Sequence, residues 1–293
     1  MSRAVDDAPP ARPVVRAAPV RKERERKAPH PDWAGMRDAL HAEWTKLRTL
    51  SGTFWLLAGI VVLTVAVSAT ATAADTCPAA GCSQDPARVS LAGIYLGQAV
   101  VAVMAVLVIS GEYDTGMIHV TLAAMPRRMT VLGAKAVLIS GLALLAGTVA
   151  VLGSVLAGRL LMPGRGFTVA HGYPPLSLTD GPVLRAATGS VLYLALIALL
   201  SLGIATLVRD SAAAIGIVLG LLYLSPIIAA VITDPHWHNR IERYAPMPAG
   251  LAIQATRNLG SQPIGPWEGL GVLAAWAAGA LVAGGLALRL RDA

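Results

Sequence analysis

The chain has 293 residues, of which 55% are hydrophobic and 14% charged, and its mean hydropathy is +0.61. A soluble domain of this length carries a larger share of charged residues, so the composition argues against one. The formal charge of +7 is unevenly placed, because 11 of the 24 lysines and arginines lie between Arg3 and Arg48. A basic flank orients a membrane protein and attracts anionic lipid. We therefore expect no nucleic-acid partner.

The segment before the first long apolar run divides into a tail and a helix. Residues 1–31 are rich in Pro, Arg and Ala without apolar periodicity, which predicts a disordered cytoplasmic tail. An amphipathic helix is predicted over residues 32–53, either in the membrane interface with its tryptophans at headgroup depth or as an ordinary juxtamembrane helix. Lys46 and Arg48 stand at the end of this helix next to the membrane. Its apolar residues recur at three- and four-residue steps: Trp33, Met36, Leu40, Trp44 and Leu47.

Six apolar runs follow, each long enough to cross a hydrocarbon core of roughly 30 Å as a helix. The predicted spans are 54–74, 91–110, 133–157, 183–208, 211–232 and 269–288. The predicted fold class is thus all-α, a polytopic membrane protein with six transmembrane helices that form one domain over 54–293. Both termini lie on one side, and placing them in the cytoplasm puts 17 of the 24 basic residues inside. The expected location is the cell membrane.

Two short motifs lie in the predicted outer loops. Cys77 and Cys82 follow the first span, and a disulfide between them is favoured over a metal pair. Asp234, His236 and His238 have the pattern Asp-x-His-x-His, but such ligands need an extended chain and a further partner. We interpret that segment as a solvated loop beside the headgroups and predict no metal site.

The sequence contains no recognisable catalytic motif. None of its four lysines follows a glycine, so the phosphate-binding pattern Gly-Lys-Ser/Thr is missing. It also contains neither His-Glu-x-x-His nor Gly-x-Ser-x-Gly. We expect a non-enzymatic chain without a cofactor of its own. The middle of every predicted span is uncharged, which weighs against an ion-coupled carrier.

The main polar interruption between apolar runs is the segment 111–135. Glu112 and Tyr113 stand at the end of the second predicted span, while residues 115–125 could form a short helix that ends before Pro126. The charges could simply stop a helix and fix the topology. A short helix flanked by charges could instead act as a lever that transmits the motion of a soluble partner, and we favour this interpretation.

The same segment resembles the first cytoplasmic loop of type-2 ATP-binding-cassette (ABC) transporter permeases. A Glu-x-x-x-Gly near a span end precedes Thr-Leu, Pro-Arg-Arg and a lysine. The matching positions are Glu112, Gly116, Thr121, Leu122, Pro126, Arg127, Arg128 and Lys135. Residues 43–49 resemble the start of many such permeases, and 243–246 the place where the family folds short helices back toward the outer leaflet.

This resemblance implies that the loop is a coupling helix docked on a separate cytoplasmic ABC ATPase subunit, which binds ATP and Mg. It further implies a membrane subunit of an ABC exporter, paired with itself or with a paralogous permease. The expected substrate is hydrophobic or amphipathic, such as a peptide, an antibiotic or a lipid. Two other classes stay open: a membrane immunity or signalling protein that transports nothing, and an ion-coupled secondary transporter.

Overall fold

A computed structural model describes residues 37, 40–41, 43–46, 51–77, 84–114, 116–117, 128–169 and 172–291. Within these ranges the chain is helical and contains no strand, as predicted. Among the described residues from 51 onward, these α-helices are complete enough to be given bounds: α1 (Ser51–Ala74), α2 (Pro86–Ser90), α3 (Ile94–Asp114), α4 (Arg128–Leu161), α5 (Gly181–Val208), α6 (Ser211–Val231), α7 (Pro235–Tyr244), α8 (Pro246–Leu251) and α9 (Pro266–Arg291).

Six of these helices, α1, α3, α4, α5, α6 and α9, are long and apolar enough to cross a membrane. They coincide with the six predicted spans, which confirms the polytopic all-α class. Two boundaries differ clearly. Helix α4 has 34 residues and extends beyond the predicted 133–157 at both ends, and at 1.5 Å per residue it is about 50 Å long. The second span begins at Ile94, because Asp85 caps a separate short helix, α2, just before it.

Helix α5 lies at the centre of the bundle and packs against α3, α4, α6 and α9, while α1 packs against α3 and α4. Small residues permit the closest approaches. A Cβ added to Gly203 on α5 would lie 2.5 Å from the carbonyl carbon of Ala280 on α9. Helices α1 and α3 also approach closely, since a Cβ on Gly93, just before α3, would lie 1.9 Å from the Thr64 carbonyl oxygen. A Cβ on Gly216 would meet no described atom within 4 Å.

The starts of α1, α4 and α6 and the ends of α3, α5 and α9 share one side of the bundle, here called the N-terminal side. The other helix ends form the opposite side. On the N-terminal side α5 turns directly into α6, in agreement with the predicted spans 183–208 and 211–232. Arg209 takes the left-handed conformation (φ 65°) at the end of α5, and Asp210 Oδ1 accepts a hydrogen bond from the Ala213 amide, 2.7 Å away.

The opposite side corrects one prediction. The segment interpreted as a solvated loop around residues 234–238 starts helix α7 instead. Asp234 Oδ1 accepts a hydrogen bond from the His236 amide at 2.8 Å, and Pro235 occupies the first helical turn. Both residue types favour helix starts in these positions, which explains why this segment folds into a helix.

Three loops are joined on the opposite side by one carboxylate and one guanidinium. Asp85 accepts hydrogen bonds from the Thr256 hydroxyl (2.6 Å), the Thr256 amide (2.5 Å) and the Arg257 amide (3.0 Å). Arg257 donates to the Gly172 carbonyl at 2.7 Å and lies 4.1 Å from the centroid of the Tyr173 ring. These contacts fix the loop after α1 to the segments before α5 and before α9.

The amide of Cys77 donates to the Arg165 carbonyl at 2.9 Å, and Cys77 is disulfide-bonded. Cys82 lies outside the described residues, so the Cys77–Cys82 pairing stays a prediction.

Candidate functional site

The N-terminal helical segment brings two charged side chains to the bundle. All described residues between 37 and 46 are helical, and Glu43 and Lys46 are three positions apart, which places them on one face. Their side chains meet Glu112 near the end of α3 and Lys135 near the start of α4. These four residues form a compact cluster of charges, called here the ion cluster.

In the ion cluster each lysine lies between both carboxylates. Lys46 Nζ is 3.1 Å from Glu43 Oε1 and 2.8 Å from Glu112 Oε1. Lys135 Nζ is 2.6 Å from Glu43 Oε2 and 2.9 Å from Glu112 Oε1. Two positive and two negative groups alternate, so the four side chains are neutral as a set.

Three of the four side chains are withdrawn from solvent. Glu43, Glu112 and Lys135 are 4%, 7% and 1% exposed, whereas 30% of the Lys46 side chain is exposed. A buried charge pays a desolvation cost of several kcal/mol that only well-placed opposite charges can offset. The arrangement is therefore sensitive to the loss of any one member, and most sensitive at Lys135.

Lys46 is the solvent-facing member of the ion cluster. Partial burial by itself would lower its pKa, but the hydrogen bonds to Glu112 and Glu43 outweigh burial and raise the pKa above its ordinary value. Lys46 is thus protonated at neutral pH. Because the folded-state pKa is raised, its contribution to stability is complete below the unfolded-state pKa and is lost only as strongly alkaline pH passes through the folded-state value.

A second set of contacts, made by Arg209, joins three helix ends on this side. Arg209, in the α5–α6 turn, lies over the ring of Tyr113 with its guanidinium carbon 5.4 Å from the ring centroid. Its Nη2 donates to the carbonyl of Ala287 on α9 at 3.3 Å. Arg209 therefore links the end of α3, the α5–α6 turn and the end of α9. Its contact on α3, Tyr113, directly follows Glu112 of the ion cluster.

The structure places the predicted site residues as follows. Lys46, Glu112 and Lys135 come together, although they were assigned to two separate predicted elements, and Tyr113 lies beside them under Arg209. Gly116 follows α3 with a positive φ of 69°, and Arg128 begins α4. The Trp44 side chain is 46% exposed on the N-terminal segment. Outside the described residues lie Trp33, Arg48, Thr121, Leu122, Pro126 and Arg127.

Sequence analysis did not single out Glu43 as a site residue. A usable signal was present, because Met36, Leu40, Glu43 and Leu47 follow one another at steps of four, three and four. A carboxylate in line with an apolar stripe faces the same surface as that stripe and needs a partner there. In the structure it is Glu43 that is buried and its neighbour Trp44 that faces outward.

The role of the ion cluster is structural: its ion pairs hold three helical elements together. Its carboxylates and ammonium groups neutralise each other, and the two ends of the segment between α3 and α4 are held against the N-terminal helical segment. Any displacement of one of these three elements must move the others or break a buried charge pair.

No protein-family model matches this chain, and no curated protein matches it.

Proposed function

We propose that this chain is the membrane subunit of an ABC exporter, in which the segment between α3 and α4 receives the motion of a separate ATPase subunit. The observation that carries the proposal is the ion cluster. It fastens both ends of that segment, through Glu112 and Lys135, to the N-terminal helical segment. A segment that transmits motion needs rigid anchorage at both ends. A loop that only connected two spans would not need buried ion pairs at its ends.

The helices on either side of this segment are packed against the other spans of the bundle. Helix α3 packs on the central helix α5, and α4 packs on both α1 and α5. Arg209 extends the connection to the α5–α6 turn and to α9. A push on the segment 115–127 would thus reach the ends of the six spans that lie on the N-terminal side, through contacts between packed or charged groups.

The proposed assembly contains two membrane subunits, either two copies of this chain or this chain with a paralogue, and two cytoplasmic ATPase subunits that bind ATP and Mg. Both termini would lie in the cytoplasm of a cell whose plasma membrane holds the complex. The resemblance of the 111–135 segment to type-2 permeases supports the direction of transport and a hydrophobic or amphipathic substrate.

The test is co-purification. The tagged full-length chain is extracted in a mild detergent together with the ATPase encoded nearest to its gene, and the amount of ATPase recovered per chain is measured. We expect a stoichiometric complex for the native chain. Arg127→Glu/Arg128→Glu should release the ATPase, because it reverses two charges on the proposed docking segment.

A matched control keeps the result specific. Arg289→Glu/Arg291→Glu reverses two charges at the N-terminal-side end of α9 and should retain the ATPase. A native chain that purifies alone under these conditions would overturn the proposal and favour a non-transporting membrane protein. Equal loss of the ATPase in both double variants would show that overall charge, and not the 111–135 segment, determines binding.

A further inference from the structure

Helix α7 presents two chemically different faces on the opposite side of the bundle. His236, Asn239, Arg240 and Arg243 follow one another at steps of three, one and three, and so share one helical face. Trp237, Ile241 and Tyr244 share another. None of the ten residues of α7 is buried, and the side chains of Trp237 and Tyr244 are 53% and 60% exposed.

The polar face of α7 lines a groove of about 490 Å³. The far wall of the groove is formed by Ser261, Gln262 and Pro263, which precede α9. Its described lining contains two arginines, a histidine, the Tyr244 ring at one edge and neutral hydrogen-bonding side chains, and no carboxylate. The groove is therefore positively charged and offers donors from both walls.

The acidic residues of α7 are occupied elsewhere. Asp234 Oδ1 accepts the His236 amide and caps the helix, while Glu242 Oε1 lies 3.4 Å from His238 Nε2 and faces a different cavity. Among the described residues neither Arg240 nor Arg243 has a carboxylate within 4 Å. Each instead lies over an aromatic ring of its own helix, Arg240 at 5.4 Å from the Trp237 centroid and Arg243 at 6.0 Å from that of Tyr244.

Helix α7 and its groove lie between two spanning helices, α6 and α9, in the chain. The helix begins four residues after the end of the spanning helix α6, and α9 begins soon after the other wall. The Trp276 indole of α9 donates to the Tyr244 carbonyl at 3.0 Å, which holds the end of α7 against α9 ten residues after that span begins. Trp267, at the start of α9, is also exposed. Exposed Trp and Tyr side chains at the ends of spans are typical of the headgroup region.

We propose that the groove between α7 and residues 261–263 binds the phosphodiester headgroup of an anionic phospholipid in the leaflet on the opposite side. Arg240 and Arg243 would contact the phosphate oxygens, since a guanidinium fork matches phosphate geometry. Asn239, Ser261 and Gln262 would bind the polar head beyond the phosphate. The apolar face of α7, with Trp237 and Tyr244, would lie against the upper part of the acyl chains.

The probe is dioleoylphosphatidylglycerol, titrated onto the purified full-length chain in detergent, with bound lipid counted by native mass spectrometry. Dioleoylphosphatidylcholine is the comparison lipid, because its head is net neutral. The soluble compound glycerophosphoglycerol supplies the same headgroup without acyl chains. We expect phosphatidylglycerol to bind at least about tenfold more tightly than phosphatidylcholine, since the attraction of the anionic head is about fivefold or more per arginine. Glycerophosphoglycerol should compete only weakly.

Two pairs of variants locate the site. Arg240→Gln/Arg243→Gln should weaken phosphatidylglycerol binding about 25-fold, at about fivefold per charge, while Arg240→Lys/Arg243→Lys should retain most of it. Arg159→Gln/Arg165→Gln removes the same charge from exposed positions elsewhere on the opposite side and should leave binding within about twofold. Gel filtration of each variant establishes that α7 still folds with the bundle.

Equal binding of the two lipids, or equal weakening in the Arg159→Gln/Arg165→Gln variant, would overturn the proposal. Tight binding of glycerophosphoglycerol alone would overturn the assignment to lipid in favour of a soluble phosphodiester. No ATPase takes part in these measurements, so their outcome is independent of the exporter proposal.

Discussion

At the scale of single residues, Lys135 is the critical member of the ion cluster. Its side chain is 1% exposed and lies within 2.9 Å of two carboxylates. Removing a buried ion-pair partner leaves charges that are neither solvated nor neutralised. Lys135 therefore stabilises the fold mainly by preventing the burial of unpaired charge on Glu43 and Glu112.

Lys135→Met should lower the free energy of unfolding by about 3 to 5 kcal/mol. Lys46→Met is the matched control, because it removes the same kind of side chain from the same cluster at a more exposed position, and it should cost clearly less. Thermal or denaturant unfolding of the purified variants in detergent measures both. Adding Glu43→Gln to Lys135→Met should recover part of the loss, because the two charges that remain, on Lys46 and Glu112, neutralise each other. If the two single variants lost equal stability, burial would not be the source of the effect.

The sequence pointed to three of the four cluster residues for a different reason from the one that the structure gives. Lys46, Glu112 and Lys135 stood out because charge is rare next to apolar runs. Their mutual contact could not be predicted, since Lys46 and Glu112 are 66 positions apart and Glu43 and Lys135 are 92 apart. Local periodicity carries no information about partners at such separations.

At the scale of helices, glycine positions separate contacts inside the bundle from surfaces that are open. Gly203 on α5 faces the backbone of α9, whereas Gly216 on α6 faces open space among the described residues. Both lie in the interior of a spanning helix, so helix propensity changes equally when either becomes alanine.

Gly203→Ala should therefore destabilise the bundle by about 1 to 3 kcal/mol, because its new methyl group must push α5 and α9 apart. Gly216→Ala should change stability by less than about 1 kcal/mol. The difference between their unfolding midpoints is the quantity to measure. A larger loss for Gly216→Ala would contradict the packing described for this chain.

The long helices were predictable from the residues alone, whereas α7 was not, and only the resemblance at 243–246 implied short helices in this segment. A run of about 20 apolar residues has one stable form in a membrane, since a helix satisfies all its own backbone hydrogen bonds. The segment around residues 234–238 was interpreted as a solvated loop, but Pro235 stands in the first turn of α7, as Pro246 does in α8. In that position proline loses no hydrogen bond and fits the helical φ.

At the scale of the whole molecule, the six-span topology places Ser261 and Arg289 on different sides of the membrane, because the last span, α9, lies between them. Ser261 lies in the wall of the groove beside α7, and Arg289 lies near the end of α9 on the N-terminal side. Both side chains are exposed. Their reactivity toward a reagent that cannot cross membranes therefore reports the orientation of the entire bundle.

In a Cys77→Ser/Cys82→Ser background, Ser261→Cys should react with a membrane-impermeant maleimide on intact cells. Arg289→Cys should react only after the cells are permeabilised, because the basic N-terminal flank is expected to stay in the cytoplasm. The reverse pattern would invert the proposed orientation, and labelling of both from outside would contradict the six-span topology.

The carboxylate of Asp85 also bears on the order in which the chain is built. Its hydrogen-bond donors at Thr256 stand 171 positions later. At about 5 to 20 residues per second, a ribosome needs on the order of 10 to 30 seconds to produce that length. During this interval the spanning helices α3, α4, α5 and α6 are synthesised and can enter the bilayer while Asp85 still lacks these partners. The loops of the opposite side can close over one another only near the end of synthesis, so the last eighth of the polypeptide, from Thr256 onward, completes a junction whose first half was made long before.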